Sequence, residues 1–119
     1  MKPSDRIFVA LDIAGLEAAL DLAQALKGLV GGVKLGKEFF TAQGPDGVRR
    51  VAATGLRVFL DLKFHDIPAT VAGAVRAALR LEPAMLTLHA AGGEAMMRAA
   101  AEAAAEAGAA RPRLLAVTV

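Results

Sequence analysis

The sequence predicts an α/β fold of the (β/α)8 TIM-barrel family, with about five strands and the four helices between them, an incomplete barrel. Short apolar runs start near positions 7, 33, 57, 85 and 114 and alternate with longer amphipathic ones. The repeat is therefore roughly 24 to 29 residues, the length of one strand-helix unit with tight loops. Such alternation gives a parallel sheet with helical crossovers. An open doubly wound sheet competes with the barrel. Open nucleotide-binding sheets usually carry a Gly-rich turn after the first strand. Here that strand ends in Leu11-Asp12-Ile13, with neither G-x-G-x-x-G nor a P-loop. Charged residues at successive strand ends favour the barrel, whose active sites sit at that rim.

Each element has its own signal. Ile7-Phe8-Val9-Ala10-Leu11 reads as a buried strand closed by Asp12. Leu16, Leu20, Ala23 and Leu26 recur at helical spacing, and Gly28 stops that helix. Gly32-Val33-Lys34-Leu35-Gly36 is a second strand. A helix begins near Lys37, is interrupted at Gly44-Pro45, and resumes from Asp46 as N-cap through Val48, Val51 and Ala52 to Gly55. Leu56 to Phe64 is the third strand. Val71, Ala74, Val75, Ala78 and Leu79 form one face of the next helix, which Glu82-Pro83 ends. Met85 to His89 is the fourth strand. The helix after it carries Glu94, Arg98, Glu102 and Glu106 four apart on a solvated edge, and Gly108 and Pro112 close it. Leu114 to Val119 is a fifth strand.

A barrel of this type usually needs about 250 residues. The 119 residues supply roughly half of that. The expectation is that residues 1–119 form the N-terminal part of a single longer barrel domain. The alternative is a complete small open sheet, whose outer strands would have free, sticky edges.

Composition narrows the function classes. With 55% hydrophobic and 22% charged residues, the chain is ordinary soluble globular material. No apolar stretch is long enough to span a bilayer, and Met1 to Arg6 lacks signal-peptide architecture. A cytoplasmic enzyme is the resulting expectation. The absence of cysteine excludes disulfides, zinc-thiolate sites and thiol catalysis. A net charge of +2, scattered basic residues and 4% aromatics offer no nucleic-acid platform.

The run Asp61-Leu62-Lys63-Phe64-His65-Asp66-Ile67-Pro68 is the most informative stretch. Period-two alternation points Asp61 and Lys63 one way and Leu62 and Phe64 the other. Burying an unpaired charge is costly, so a row of charges on such a strand needs mutual pairing or a chemical role. The other strand ends add Asp12, Lys34 and His89. In a barrel these residues face one cavity. Lys34 taken alone reads as a snorkelling surface lysine; the set requires several independent accidents to be structural.

An array of alternating carboxylates and ammoniums has definite chemistry. Flanking carboxylates keep each lysine protonated. A protonated lysine at a reacting carbon stabilises a developing carbanion and then donates a proton to it. A carboxylate fixed near a substrate carboxylate favours the state in which CO2 has left. No redox or carbonyl-sink cofactor is needed. His65 beside Asp66 lacks the spacing of a metal site, so no metal is expected. His89 reads as a hydrogen-bonded rim histidine. Gly92-Gly93 opening a helix fits an anion site or a plain turn, and Thr70 fits a turn residue or a ligand hydroxyl.

The run Phe59-Leu60-Asp61-Leu62-Lys63-Phe64-His65-Asp66-Ile67-Pro68-Ala69-Thr70-Val71 closely resembles the signature of the bacterial orotidine 5'-phosphate decarboxylase family. So do Val9-Ala10-Leu11-Asp12, Val33-Lys34-Leu35-Gly36 and Leu88-His89-Ala90. The resemblance covers essentially the whole chain in order. It implies a (β/α)8 barrel that converts orotidine 5'-monophosphate to uridine 5'-monophosphate and CO2 in pyrimidine biosynthesis, with no metal or organic cofactor. It implies that Lys63 protonates C6 and that Asp61 lies beside the leaving carboxylate. Lys34 and Asp12 would bind the ribose and complete the array. Asp66 would enter the partner subunit's site in a homodimer, with Thr70 near the ribose and Ile67 in the substrate-binding set. The family's phosphate-gripping glutamine and arginine, and its threonine-serine pair, lie beyond the fifth strand. The 119-residue chain alone is therefore expected to be inactive or nearly so.

Three rivals remain. A magnesium-dependent sugar-phosphate decarboxylase or aldolase of the same superfamily shares the Asp61, Lys63, Asp66 spacing, although the His65-Asp66-Ile67-Pro68 context favours the orotidine enzyme. A pentose-phosphate epimerase would need a metal and two acidic proton shuttles. A non-catalytic half-barrel module is the third.

Overall fold

In the computed structural model, which describes residues 1–119, strands and helices alternate along the chain. They are β1 (Phe8–Ala10), α1 (Leu16–Leu26), β2 (Gly32–Gly36), α2 (Lys37–Ala52) and β3 (Arg57–Phe64), then α3 (Pro68–Leu79), β4 (Met85–His89), α4 (Glu94–Ala105) and β5 (Arg113–Val117). The chain divides into two compact units, Met1–Asp61 and Leu62–Val119, with the boundary inside β3. No helix is long and apolar enough to cross a membrane.

In the first unit the strand order is β1-β2-β3, all parallel. An open doubly wound sheet reverses strand order at its switch point; these strands advance without reversal, as barrel strands do. The register pairs Phe8 with Gly32, Ala10 with Lys34, Lys34 with Phe59, and Gly36 with Asp61. Because side chains alternate with period two, Phe8, Lys34, Phe59 and Asp61 share one face. Val33, Leu35, Val58 and Leu60 share the other, and all four are buried. That second face is the apolar one, with Ala19 and Ala23 of α1 and Phe39, Val48 and Val51 of α2 buried in the same unit. On the first face the Phe8 and Phe59 rings meet edge to face at 6.3 Å. The Arg57 guanidinium lies 5.3 Å from the centre of the Phe8 ring.

In the second unit β4 and β5 pair in parallel, Met85 with Arg113 through His89 with Val117. Helices α3 and α4 pack against each other. Val71, Val75 and Ala78 of α3 and Met96, Ala100 and Ala103 of α4 are buried, together with Leu86 and Leu88. The exposed edge of α4 carries the expected charges. Arg98 pairs with Glu94 one turn away, and Glu106 accepts from Arg76 Nε of α3 at 2.9 Å.

Three expectations need correction. The first strand is shorter than Ile7–Leu11 and is not uniformly buried: Ile7 is 52% exposed and only Leu11 is buried outright. Its unit gives β1 a ladder partner on one side only. The second helix is interrupted at Gly44, with φ 65° and ψ −167°. Pro45 then occupies the first position of the resumed helix, where its fixed φ and missing N–H do no harm. Asp46 is thus inside the first turn rather than the N-cap, and its carboxylate pairs with Arg49 Nη1 at 2.9 Å. The last strand ends at Val117 and begins at Arg113.

Gly32 shows how closely the ladder fits. A Cβ there would lie 2.3 Å from the Arg57 carbonyl oxygen and 2.4 Å from the Phe8 ring. Replacing glycine by alanine in a strand ordinarily gains roughly 0.5–1 kcal/mol. Here the backbone oxygen cannot move aside without disturbing β3, so overpacking wins. Gly32→Ala is expected to destabilise the protein by about 1–3 kcal/mol, measured by urea denaturation; a stabilised variant would refute the register.

Candidate active site

Asp61 ends the first unit's part of β3 and is 7% exposed. A carboxylate so far removed from water needs a counter-charge. Lys34 supplies one: its Nζ lies 3.3 Å from Asp61 Oδ2, with the Asp61 side chain 8% exposed and that of Lys34 31%. The register explains the reach. Lys34 sits two residues before Gly36, and Gly36 is the residue opposite Asp61. Glycine contributes no side chain there, so the lysine stem can run forward along the strand to the carboxylate. Lys34, expected as one of a set of charged residues and not as an isolated snorkelling lysine, forms an ion pair with a buried acid.

Lys63 opens a different question. It lies inside β3, yet its φ is +49°, and the only other non-glycine residue with positive φ, Glu82, is in the loop between α3 and β4. A left-handed non-glycine residue costs on the order of 1–3 kcal/mol and persists only where its surroundings hold it. Simple alternation from Asp61 therefore does not give the direction of Lys63. The Lys63 backbone N–H donates to Thr87 Oγ1 at 2.9 Å. Thr87 is itself 4% exposed, at the middle of β4. Sequence reasoning passed over Thr87. Its signal was a hydroxyl between Leu86 and Leu88, on the same strand face as His89.

The remaining predicted residues lie at the surface. Asp12 is exposed in the loop after β1. Asp66 is exposed, and its Oδ1 accepts from the Ile67 N–H at 2.7 Å. Ile67 is 65% exposed and precedes α3 as its N-cap residue. Thr70 is exposed in the first turn of α3, its N–H donating to the Ile67 carbonyl at 3.1 Å. His65, Asp66, Ile67, Pro68, Ala91 and Gly92 line an open pocket of about 520 Å³. The His65 and His89 rings are 5.3 Å apart, tilted by 46°. Gly93, with φ 95°, caps the start of α4.

Comparison with known proteins bears on this arrangement. Residues 5–119 match the family model described as "Orotidine 5'-phosphate decarboxylase / HUMPS family". The chain belongs to this family. A protein of Novosphingobium aromaticivorans named orotidine 5'-phosphate decarboxylase is 55% identical over 116 residues, 98% of this chain and 50% of that protein. One of the same name from Moorella thermoacetica is 54% identical over 123 aligned residues, 100% of this chain and 49% of its own length. The crystal structure of orotidine 5'-phosphate decarboxylase from Lactobacillus acidophilus superposes with a TM-score of 0.82 at 37% identity, covering 95% of this chain and 52% of that one. The chain spans about half the length of the curated relatives it matches.

In this decarboxylase-family chain, the Lys34–Asp61 pair bears on stability. Removing Lys34 takes a cation away from a largely buried carboxylate. Lys34 itself is about a third exposed, which reduces the loss below that of a fully buried pair. Lys34→Met is expected to lower stability by about 1–3 kcal/mol, read as a lower urea midpoint at unchanged denaturant slope.

Proposed function

We propose that this chain carries the acid-base half of an enzyme that decarboxylates orotidine 5'-monophosphate to uridine 5'-monophosphate and CO2. The observation that carries the reading is the buried Asp61 carboxylate held by Lys34 at 3.3 Å in a member of this family. In the proposed reaction the bond between C6 of the pyrimidine and its carboxylate breaks. CO2 departs, the electron pair stays on C6, and the Lys63 ammonium delivers the proton that completes uridine 5'-monophosphate. Asp61 stands beside the leaving carboxylate, where its charge is better tolerated as CO2 forms. Lys34 and Asp12 bind the ribose. Protein charges stabilise the carbanion, so the reaction calls for no cofactor.

Asp66, Ile67 and Thr70 belong, in this reading, to a site shared across a homodimer. Their exposure supports it: an isoleucine 65% exposed beside an open pocket is a surface that a second subunit would cover. The enzyme would work in the cytoplasm on a small-molecule substrate.

The test is a chimera in which these 119 residues replace the matching half of the Novosphingobium aromaticivorans relative. Decarboxylation of orotidine 5'-monophosphate should be retained, and should survive a chelator. Loss of activity to the chelator would favour a magnesium-dependent sugar-phosphate enzyme instead. Lys63→Ala should cut kcat by roughly 10²–10⁴-fold. The 119 residues alone should show at most residual turnover, because remote binding energy from the rest of the barrel would be missing. A chimera that folds but does not decarboxylate would sink the proposal.

A further inference from the structure

We propose that Thr87 is a positioning residue, whose hydroxyl holds Lys63 in its left-handed conformation and thereby aims the proton donor. The inference rests on the reading of Lys63 given above and adds to it the group that sets its geometry. Three observations meet here. Lys63 has φ +49° within a strand, where nothing in a lysine favours that conformation. Its N–H donates to Thr87 Oγ1 at 2.9 Å. Thr87 is 4% exposed and flanked by Leu86 and Leu88, at 0% and 2%, so its own position in β4 is fixed by packing.

The physical logic is that of a clamp. A residue in a sparsely populated backbone region relaxes unless neighbours hold it. A threonine buried in β4 is a rigid anchor, because its branched side chain has few rotamers. Its methyl and hydroxyl occupy similar volumes, so valine at this position fills the space and lacks the hydroxyl. Serine keeps the acceptor and loses only the methyl. Glu82, by contrast, reaches a similar φ of 51° in a loop before Pro83. There a turn accounts for the conformation, and no strand must be held against it.

The experiment compares Thr87→Val and Thr87→Ser in the full-length chimera described above. Two readouts are taken, steady-state decarboxylation and amide hydrogen exchange at Lys63. In Thr87→Val, kcat should fall roughly 10- to 100-fold with KM changed less than about 2-fold, since misaiming the donor affects the reacting step. Exchange at the Lys63 amide should accelerate about 10-fold or more, the factor that corresponds to losing one hydrogen bond. Thr87→Ser should restore both. Unchanged kcat, unchanged Lys63 exchange, or equal losses in the valine and serine variants would each overturn the clamp. Should the valine variant not fold, the serine variant alone decides: a large kcat loss with the hydroxyl present refutes the assignment. If the unsubstituted chimera fails to decarboxylate, the functional reading falls, and Lys63 exchange still decides whether the clamp exists.

Discussion

A carboxylate 7% exposed at the end of a parallel strand sets the terms for the first unit. Such a group is stable there only if a cation reaches it and the cation's stem has somewhere to lie. The β2–β3 register meets both conditions at once. Lys34 and Gly36 share a face with Phe59 and Asp61, and the glycine leaves room for the lysine to lean forward. Slipping β2 by one residue would send Lys34 to the apolar face occupied by Val33 and Leu35, away from Asp61. The ion pair and the hydrophobic layer therefore specify the same register, one from each side of the sheet. Below the pair, Phe59 and Phe8 fill the same face with rings, and the Arg57 guanidinium lies over the Phe8 ring. The ion pair thus lies toward the C-terminal side of these strands, the side on which a barrel enzyme carries its chemistry.

The second unit solves a different problem, a strained backbone rather than a buried charge. Left-handed geometry at Lys63 ends the regular alternation of β3. Unmet backbone donors in such a place cost on the order of 1–3 kcal/mol, about the size of the conformational strain itself. A hydroxyl from β4 meets the Lys63 N–H, so the neighbouring strand stabilises what the local sequence disfavours. Under the proposed reading, the buried leucines beside Thr87 hold β4 in place, and that rigidity is what a proton donor with one correct aim would require.

Much of the fold was legible because its signals are local. The strands Gly32–Gly36 and Met85–His89 were read to the residue: glycines bracket one, and the other lies between a proline and a turn. The break in α2 was legible from Gly44-Pro45, although the N-cap was misplaced by two residues, since proline at the first helical position moves the cap to the glycine before it. Burial of β1 was misread because apolar composition reports what a strand can bury, while its actual exposure depends on how many neighbours it has. The Asp61–Lys34 pair was legible as two charged strand ends, but its geometry depends on Gly36 and on register, which no local pattern reveals. Lys63 was singled out for its charge, whereas its conformation left no trace: positive φ is flagged by glycine or asparagine, and a lysine held there by a distant threonine is invisible until β3 and β4 are aligned.

Within six residues, Asp61 to Asp66, one motif passes from buried to exposed carboxylate. Field strength rises as water is excluded, so a buried charge acts strongly on a neighbouring bond but must be compensated from within the protein. An exposed charge acts weakly until something covers it. Asp61 meets the first condition with Lys34 already in place. Asp66 meets the second: its Oδ1 does no more than receive the next residue's N–H, and the exposed Ile67 beside it supplies apolar area for a covering surface. Under the proposed reading, the inner acid is ready in one subunit, whereas the outer acid gains its strength only when a second subunit excludes water from it. Catalysis would then depend on assembly through a single carboxylate, although the proposed proton donor, Lys63, lies within one subunit.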